Sequence, residues 1–209
     1  MNWPNRERWL ALCRTEGATE SAAGWYDRLT QAYAEPQRHY HNQQHIAERL
    51  GEFDHARHLA RQPGLVELAI WFHDAVYDPK AADNEERSAA LAKSCLIESG
   101  VPDTPIEAVA GLVMATKHHV VNASADAALM VDVDLSILGR DEKRFSEYEQ
   151  QIRLEYEWVP NAVFASKRAE VLENFLSRER IYATEWFQSK YERQARTNLS
   201  ASVNHLRQA

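Results

Sequence analysis

The stretch from Leu65 to Val76 is the most apolar part of the chain, and it limits what the rest can fold into. Apolar residues recur there at helical offsets and share one face: Leu65, Leu68, Ala69, Phe72 and Val76. His73 falls on the same face. The pattern predicts a central helix that carries a histidine into the core.

The remaining segments also show helical rather than alternating periodicity, and no period-2 run is bounded by turn residues. Clusters of Gly, Pro, Asn and Asp predict the breaks between helices. These clusters lie at Gly17, Pro36, Pro63-Gly64, Asp78-Pro79, Gly100 to Pro105, Asn122 to Ser124, Gly139-Arg140 and Val159-Pro160. The sequence therefore predicts an all-α fold of roughly eight to ten helices.

The composition favours one domain over residues 1–209. Of these residues 44% are hydrophobic, whereas only 7 are glycine and 7 are proline. That is enough apolar material for one substantial core, with little left for linkers. The run from Ala183 to Arg207 carries spaced aromatic and apolar residues. We interpret it as a packing helix, with a homodimer face as the alternative.

The net charge limits the partners. A formal charge of −7 argues against broad binding to duplex nucleic acid, which depends on Lys and Arg neutralising phosphates. A small anionic, phosphate-containing substrate remains compatible with it. An acidic protein needs a local positive centre for such a substrate, and a bound metal is the most compact one.

The lack of a recognisable targeting signal and the spacing of the cysteines predict a cytoplasmic protein. The N-terminus lacks the apolar run of a signal peptide, and no apolar stretch is long enough to span a membrane. The two cysteines, Cys13 and Cys95, have neither CxxC nor finger spacing, so we expect reduced, buried thiols.

Three separated segments carry groups suited to a divalent cation. His45 lies in the first, His73 and Asp74 are adjacent in the second, and Asp134 lies in an apolar third segment. Two imidazoles with carboxylates form a mixed N/O site, which suits Mn, Fe, Co, Ni or Zn better than Ca. If His73 and Asp74 lie on one helix, about 100° apart, both reach one ion only at the helix edge.

The order His45, His73-Asp74, Asp134 resembles the H…HD…D signature of the HD superfamily of metal-dependent phosphohydrolases. The resemblance covers roughly residues 25–140, leaving residues 141–209 as packing helices. Four strings are similar to a bacterial subfamily of predicted HD phosphohydrolases: YHNQQHI from Tyr40, WFHDAVYD from Trp71, NEERSA from Asn84 and DVDLSILG from Asp132. The resemblance implies a single-domain HD-type helical bundle in which His45, His73, Asp74 and Asp134 bind one divalent transition metal.

For the fourth metal ligand, the sequence offers an alternative to Asp134. The string around Asp134 is one residue shorter than the family pattern, so Asp132 could take its place. Two residues apart on a helix, the two side chains point about 160° away from each other. Only one of them is therefore expected to bind the ion.

The resemblance also implies catalytic residues. Asp74 is expected to act with the metal, and Glu85 to accept a proton from water, with Glu86 as the alternative base. The competing interpretation is that both glutamates simply favour the first turn of a helix through its dipole.

Four residues are candidates for substrate binding: Arg38, His41, His118 and His119. Arg38 could clamp a phosphate, or be solvated. His41, four residues before His45, could share its helical face, with Asn42 as a helix cap in the alternative. His118 and His119 could line the pocket, or form a surface pair at a helix C-terminus.

The expected activity is hydrolysis of a nucleotide or other small phosphoester. One alternative is an HD-type iron-dependent oxygenase, whose extra histidine ligands are well separated in sequence. The other is a metal-dependent nucleotide sensor without catalysis.

Overall fold

The computed structural model describes residues 4–117, 119 and 124–208, and within them every regular element is helical. The predicted all-α fold is confirmed. The α-helices of the described residues are α1 (Arg6–Thr15), α2 (Ala23–Ala32), α3 (Gln43–Ala56), α4 (Pro63–Phe72), α5 (Asn84–Glu98), α6 (Asp103–Ala115), α7 (Ala125–Leu135), α8 (Glu142–Glu155), α9 (Asn161–Ser177) and α10 (Glu185–Leu206).

Most helix boundaries fall at the predicted breaks, for recognisable reasons. Pro63 begins α4, where its missing N–H costs nothing. After α5, Gly100 adopts a φ of +77°, which glycine reaches without strain. The N–H of Val101 then donates to the Leu96 carbonyl, closing the helix end.

The break between α9 and α10, at residues 178–184, is not among the predicted breaks, although the helix predicted from Ala183 begins close to its end. It contains neither glycine nor proline. Its backbone is instead held by side chains of α10: the Glu192 carboxylate accepts from the N–H of Ile181, and Arg196 donates to the carbonyls of Arg178 and Glu179. Such distant partners leave no local sequence signal.

Helix α4 is buried on all sides rather than along one face. Every residue from Gly64 to Phe72 is buried, as expected for a helix in which Glu67 is the one charged residue. The helix also ends at Phe72, with His73 as its C-cap, so the predicted continuation to Val76 is wrong. His73 and Asp74 therefore lie at the helix end and in the turn that follows.

Aromatic side chains surround the carboxyl end of α4. The ring of Trp9 in α1 meets those of Trp71 and Phe72 edge to face, with centroids 5.3 Å and 6.0 Å away. Trp25 of α2 contacts Phe72 in the same manner at 6.4 Å. These contacts fix α1 and α2 against the end of α4 that carries His73.

The amino end of α4 is capped from another helix. Gln62, its N-cap, makes no side-chain capping bond. The buried carboxylate of Asp126 in α7 accepts instead from the N–H groups of Arg61 (2.7 Å) and Gln62 (3.0 Å). A negative charge is favourable at this end of a helix dipole.

The chain divides into two compact units, Met1–Val133 and Asp134–Ala209. In the first, α6 packs against α4 and α5. In the second, Gly139 lies so close to Tyr191 of α10 that an added Cβ would come within 2.5 Å of the tyrosine Cβ. The interpretation as one HD-type domain stays a prediction.

Among the described residues, no helix has both the length and the apolar character that crossing a bilayer requires. Cys13 and Cys95 are free and buried. Burial raises the pKa of Cys13 to about 12, so the thiol stays protonated at neutral pH.

A buried carboxylate links three elements of the first unit. Glu67 of α4 accepts from Arg8 Nε of α1 at 2.7 Å and from Arg57, which follows α3. Arg8 also binds Asp54 through both terminal nitrogens. The Glu67 side chain is 4% exposed, whereas those of Arg8 and Arg57 are 28% and 42% exposed.

We expect Glu67→Gln to lower the free energy of unfolding by about 3 kcal/mol, the lower end for a broken buried ion pair, because both arginines reach water. Urea denaturation measures this. Glu107→Gln removes a carboxylate from an exposed pair with Lys93 and should cost less than about 1 kcal/mol. Equal stability of the two variants would contradict a stabilising role for the buried carboxylate.

Candidate metal centre

Three donor atoms from His45, His73 and Asp74 form a compact triangle. The Nε2 atoms of His45 and His73 are 3.0 Å apart, and Asp74 Oδ2 lies 3.1 Å from each of them. Two atoms that bind one ion at about 2.1 Å, at roughly right angles, lie about 3 Å apart. The three predicted ligands of the first unit therefore come together in an arrangement that fits one ion.

His45 lies in the first turn of α3, whose start is fixed by Asn42. The Asn42 side chain accepts from the N–H groups of Gln44 (2.8 Å) and His45 (3.4 Å), as the alternative interpretation of this residue predicted. His41 precedes the helix, so its predicted place on the helical face of His45 is wrong. Because α3 begins between His41 and His45, the two side chains do not have the i, i+4 arrangement of a helix.

The hydrogen bond of His73 determines which ring nitrogen faces the triangle. His73 Nδ1 lies 2.9 Å from the carbonyl oxygen of Ile70. A carbonyl can only accept, so Nδ1 carries a proton, and Nε2 is the ring nitrogen that faces the cluster. This is the usual second contact of a histidine that binds metal.

Burial keeps His45 neutral. It lowers the pKa of His45 to about 4, although Asp74 partly offsets the effect. The imidazole is therefore unprotonated at neutral pH, which is the form that binds a cation.

Asp74 is the negative member of the cluster. Burial alone would raise its pKa, but His73, His41 and the hydrogen bonds from His45 and His73 hold that pKa well below the usual value. The carboxylate is thus ionised throughout the neutral range, as a metal ligand must be.

Side chains from other elements hold the turn that carries Asp74. Tyr33 Oη donates to the carbonyl of Trp71 at 3.0 Å, and Arg38 donates to the carbonyls of Asp74 and Ala75. Ser88 of α5 binds the N–H of Val76 at 3.0 Å. The sequence does not identify Tyr33 or Ser88, since nothing local distinguishes a side chain that binds the backbone of a distant segment.

The predicted substrate-binding residues occupy different environments. The guanidinium of Arg38 is directed at backbone carbonyls, whereas the ring of His41 stacks on Tyr77 with centroids 4.1 Å apart. His119 is partly buried, with a positive φ of 49°. His118 lies outside the described residues. Binding of substrate by these four residues stays a prediction.

The two candidate bases differ in their surroundings. Both begin α5, as predicted. Glu86 is exposed and forms an ion pair with Lys117, whose Nζ also donates to the Ala82 carbonyl. Glu85 is partly buried. The role of Glu85 as base stays a prediction.

Asp132 and Asp134 lie on α7, on opposite sides of the boundary between the two units. Asp132 is fully buried and Asp134 is partly exposed. In the second unit, burial raises the pKa of Tyr148, and the charge of Asp134 adds a smaller increase. Which aspartate completes the ligand set stays a prediction.

We expect the metal-free protein to lose stability as the pH falls from about 6.5 to about 4. Unfolded His45 takes up a proton near pH 6.5, but the folded protein does so only near pH 4. The contribution of His45, about 3 kcal/mol, is therefore fully present above the unfolded pKa and is lost through this window.

Urea denaturation with a chelator, at several pH values between 4 and 7, checks this expectation. His45→Gln should flatten the dependence, whereas His58→Gln, at an exposed position, should not. If the free energy of unfolding varies with pH in parallel for the parent and His45→Gln, then His45 does not cause the loss of stability.

Comparison with known proteins finds no counterpart: no family model, no curated protein and no solved structure matches this chain. The resemblance to the HD superfamily therefore depends on the spacing of the residues described above.

Proposed function

We propose that His45, His73 and Asp74, together with Asp134, bind one divalent transition metal, and that the protein hydrolyses a nucleotide or other small phosphoester. The observation that carries the proposal is the triangle of two buried imidazole rings and the partly exposed Asp74 carboxylate, whose donor atoms lie 3.0 to 3.1 Å apart. The proposal places the chain in the HD superfamily.

The charge of the cluster supports a metal. At neutral pH it contains the neutral ring of His45 and an ionised Asp74. With both imidazoles neutral, the four proposed ligands carry a charge of −2, which a divalent cation would neutralise. In a chain with a net charge of −7, the cation would remove the local repulsion of an anionic phosphate and could bind one of its oxygens.

The fourth ligand is proposed from the sequence order. Asp134 matches the last position of the H…HD…D pattern, with Asp132 as the alternative. Mixed imidazole and carboxylate donors suit Mn, Fe, Co, Ni or Zn.

When bound, the metal supplies Lewis acidity, which polarises a phosphoryl oxygen and acidifies water. The residues of the chain have separate tasks. His45 and His73 provide neutral donors, and Asp74 provides the charge. Glu85 accepts the proton from water, while His41, His118 and His119 contact the substrate.

A second candidate function follows from the same donor set. Two histidines and one carboxylate also form the facial triad of non-haem iron oxygenases. The triangle His45, His73 and Asp74 has this composition. Iron in the purified protein, with turnover that requires dioxygen, would favour oxygenation over hydrolysis.

The deciding experiment is metal analysis of the purified protein combined with activity screening on nucleotides and phosphoesters. About one divalent metal per chain and release of phosphate are expected. Substrate binding without turnover, for each of the five metals, would favour a sensor instead.

We expect the double substitution of His73 and Asp74 by Ala to remove the metal and to lower turnover by about a thousandfold or more. Helicity by circular dichroism should change little, because α4 ends at Phe72, before both residues. His58→Ala, at an exposed histidine, is the control and should keep both metal and turnover. Parent-like hydrolysis by a folded, metal-free double variant would contradict the mechanism.

We expect Asp134→Ala to lose metal and activity, whereas Asp132→Ala, at a fully buried position, should mainly lower thermal stability. Elemental analysis and thermal unfolding of both variants distinguish the roles. Loss of metal from Asp132→Ala alone would reverse the assignment.

A further inference from the structure

We propose that Arg38 is a positioning residue, which fixes the Asp74 turn against the segment before α3 and thereby sets the metal affinity of the cluster. The inference rests on the proposed metal site and deepens it. It assigns Arg38 a task other than contact with the substrate.

The hydrogen bonds of Arg38 end on protein acceptors. Its Nη1 donates to the carbonyl oxygens of Asp74 at 2.6 Å and His41 at 3.2 Å, and its Nη2 donates to that of Ala75 at 3.0 Å. Its Nε binds the Glu35 carboxylate at 2.9 Å. A guanidinium has five N–H groups, so four of them are engaged.

The guanidinium is also enclosed. The Arg38 side chain is 1% exposed. Its central carbon lies 5.3 Å from the ring centroid of Tyr33 and 5.7 Å from that of Tyr77. Aromatic rings attract the cation and leave it little freedom to turn toward a ligand.

These contacts act directly on the geometry of the donors. Arg38 binds the carbonyls of two successive residues, Asp74 and Ala75. It therefore fixes the backbone from which the Asp74 side chain extends. The same Nη1 holds the His41 carbonyl, in the segment that leads into α3 and His45. One side chain therefore sets the relation between the two segments that supply the ligands. A lysine could not reproduce it, because an ammonium lacks the planar fork.

The competing interpretation is a phosphate clamp. Arg38 borders a cleft of about 410 Å³, which Tyr77 and Arg87 also line. A clamp would weaken phosphate binding on substitution and leave the metal unaffected. A positioning residue would act on the metal itself, even without substrate.

The test uses Co²⁺ as the probe, added to the full-length protein after a chelator has removed any metal. Titration calorimetry gives the affinity, and the visible absorption of bound Co²⁺ reports the ligand geometry. Arg38→Gln and Arg38→Lys should each bind Co²⁺ about 10 to 100 times more weakly than the parent, the usual effect of losing a residue that orients ligands. Both should show an altered spectrum.

Arg196→Gln is the matched control, because Arg196 also donates to backbone carbonyls: those of Leu176, Arg178 and Glu179. It should lower thermal stability and leave the affinity and spectrum of Co²⁺ unchanged. If Arg38→Gln does not fold by circular dichroism, Arg38→Lys decides.

Parent-like affinity and spectrum in a folded Arg38 variant would overturn the inference. Such a variant with weakened binding of inorganic phosphate would identify a clamp instead. If the parent itself does not bind Co²⁺, the proposed metal site fails and the inference fails with it. If only the inference about Arg38 is wrong, the parent still binds Co²⁺ and the proposed metal site stands.

Discussion

The complete burial of α4 is the constraint on which the rest of the first unit depends. Apart from the ion-paired Glu67, the helix is apolar on every side and is therefore enclosed, so its last carbonyls must find donors inside the protein. Those of Ile70 and Trp71 accept from His73 and Tyr33, and the turn that follows depends on Arg38. The donor triangle thus lies where a buried helix has to end.

Hydrogen bonding and protonation are coupled at this helix end. The hydrogen bond from His73 Nδ1 satisfies the Ile70 carbonyl and leaves Nε2 facing the other two donor atoms. The burial that keeps His45 neutral also removes water from its neighbours. Burial therefore both encloses this end of the helix and keeps His45 in the neutral form that binds a cation.

The sequence predicted those features whose cause is local. Helical periodicity is sufficient for the all-α fold, and Asn42 has the side chain that a helix start requires. The approach of His45 to His73 and Asp74 was expected only from the resemblance of their order to the HD superfamily signature. It could not be deduced from periodicity, which treats each segment separately.

What the sequence did not predict depends on distant partners. Helical periodicity continues beyond Phe72, but the helix stops there because Arg38 and Ser88 hold the following residues in another conformation. The break at residues 178–184 likewise depends on Glu192 and Arg196. In both places long-range hydrogen bonds override local preference.

The capping of α4 by Asp126 has a consequence for the order of assembly. This helix lacks a cap of its own at the amino end, and side chains from elsewhere stabilise its carboxyl end. As a nascent segment of ten residues it has too little intrinsic stability to persist in water. We therefore expect the donors to converge fully only once α7 has docked against the amino end of α4.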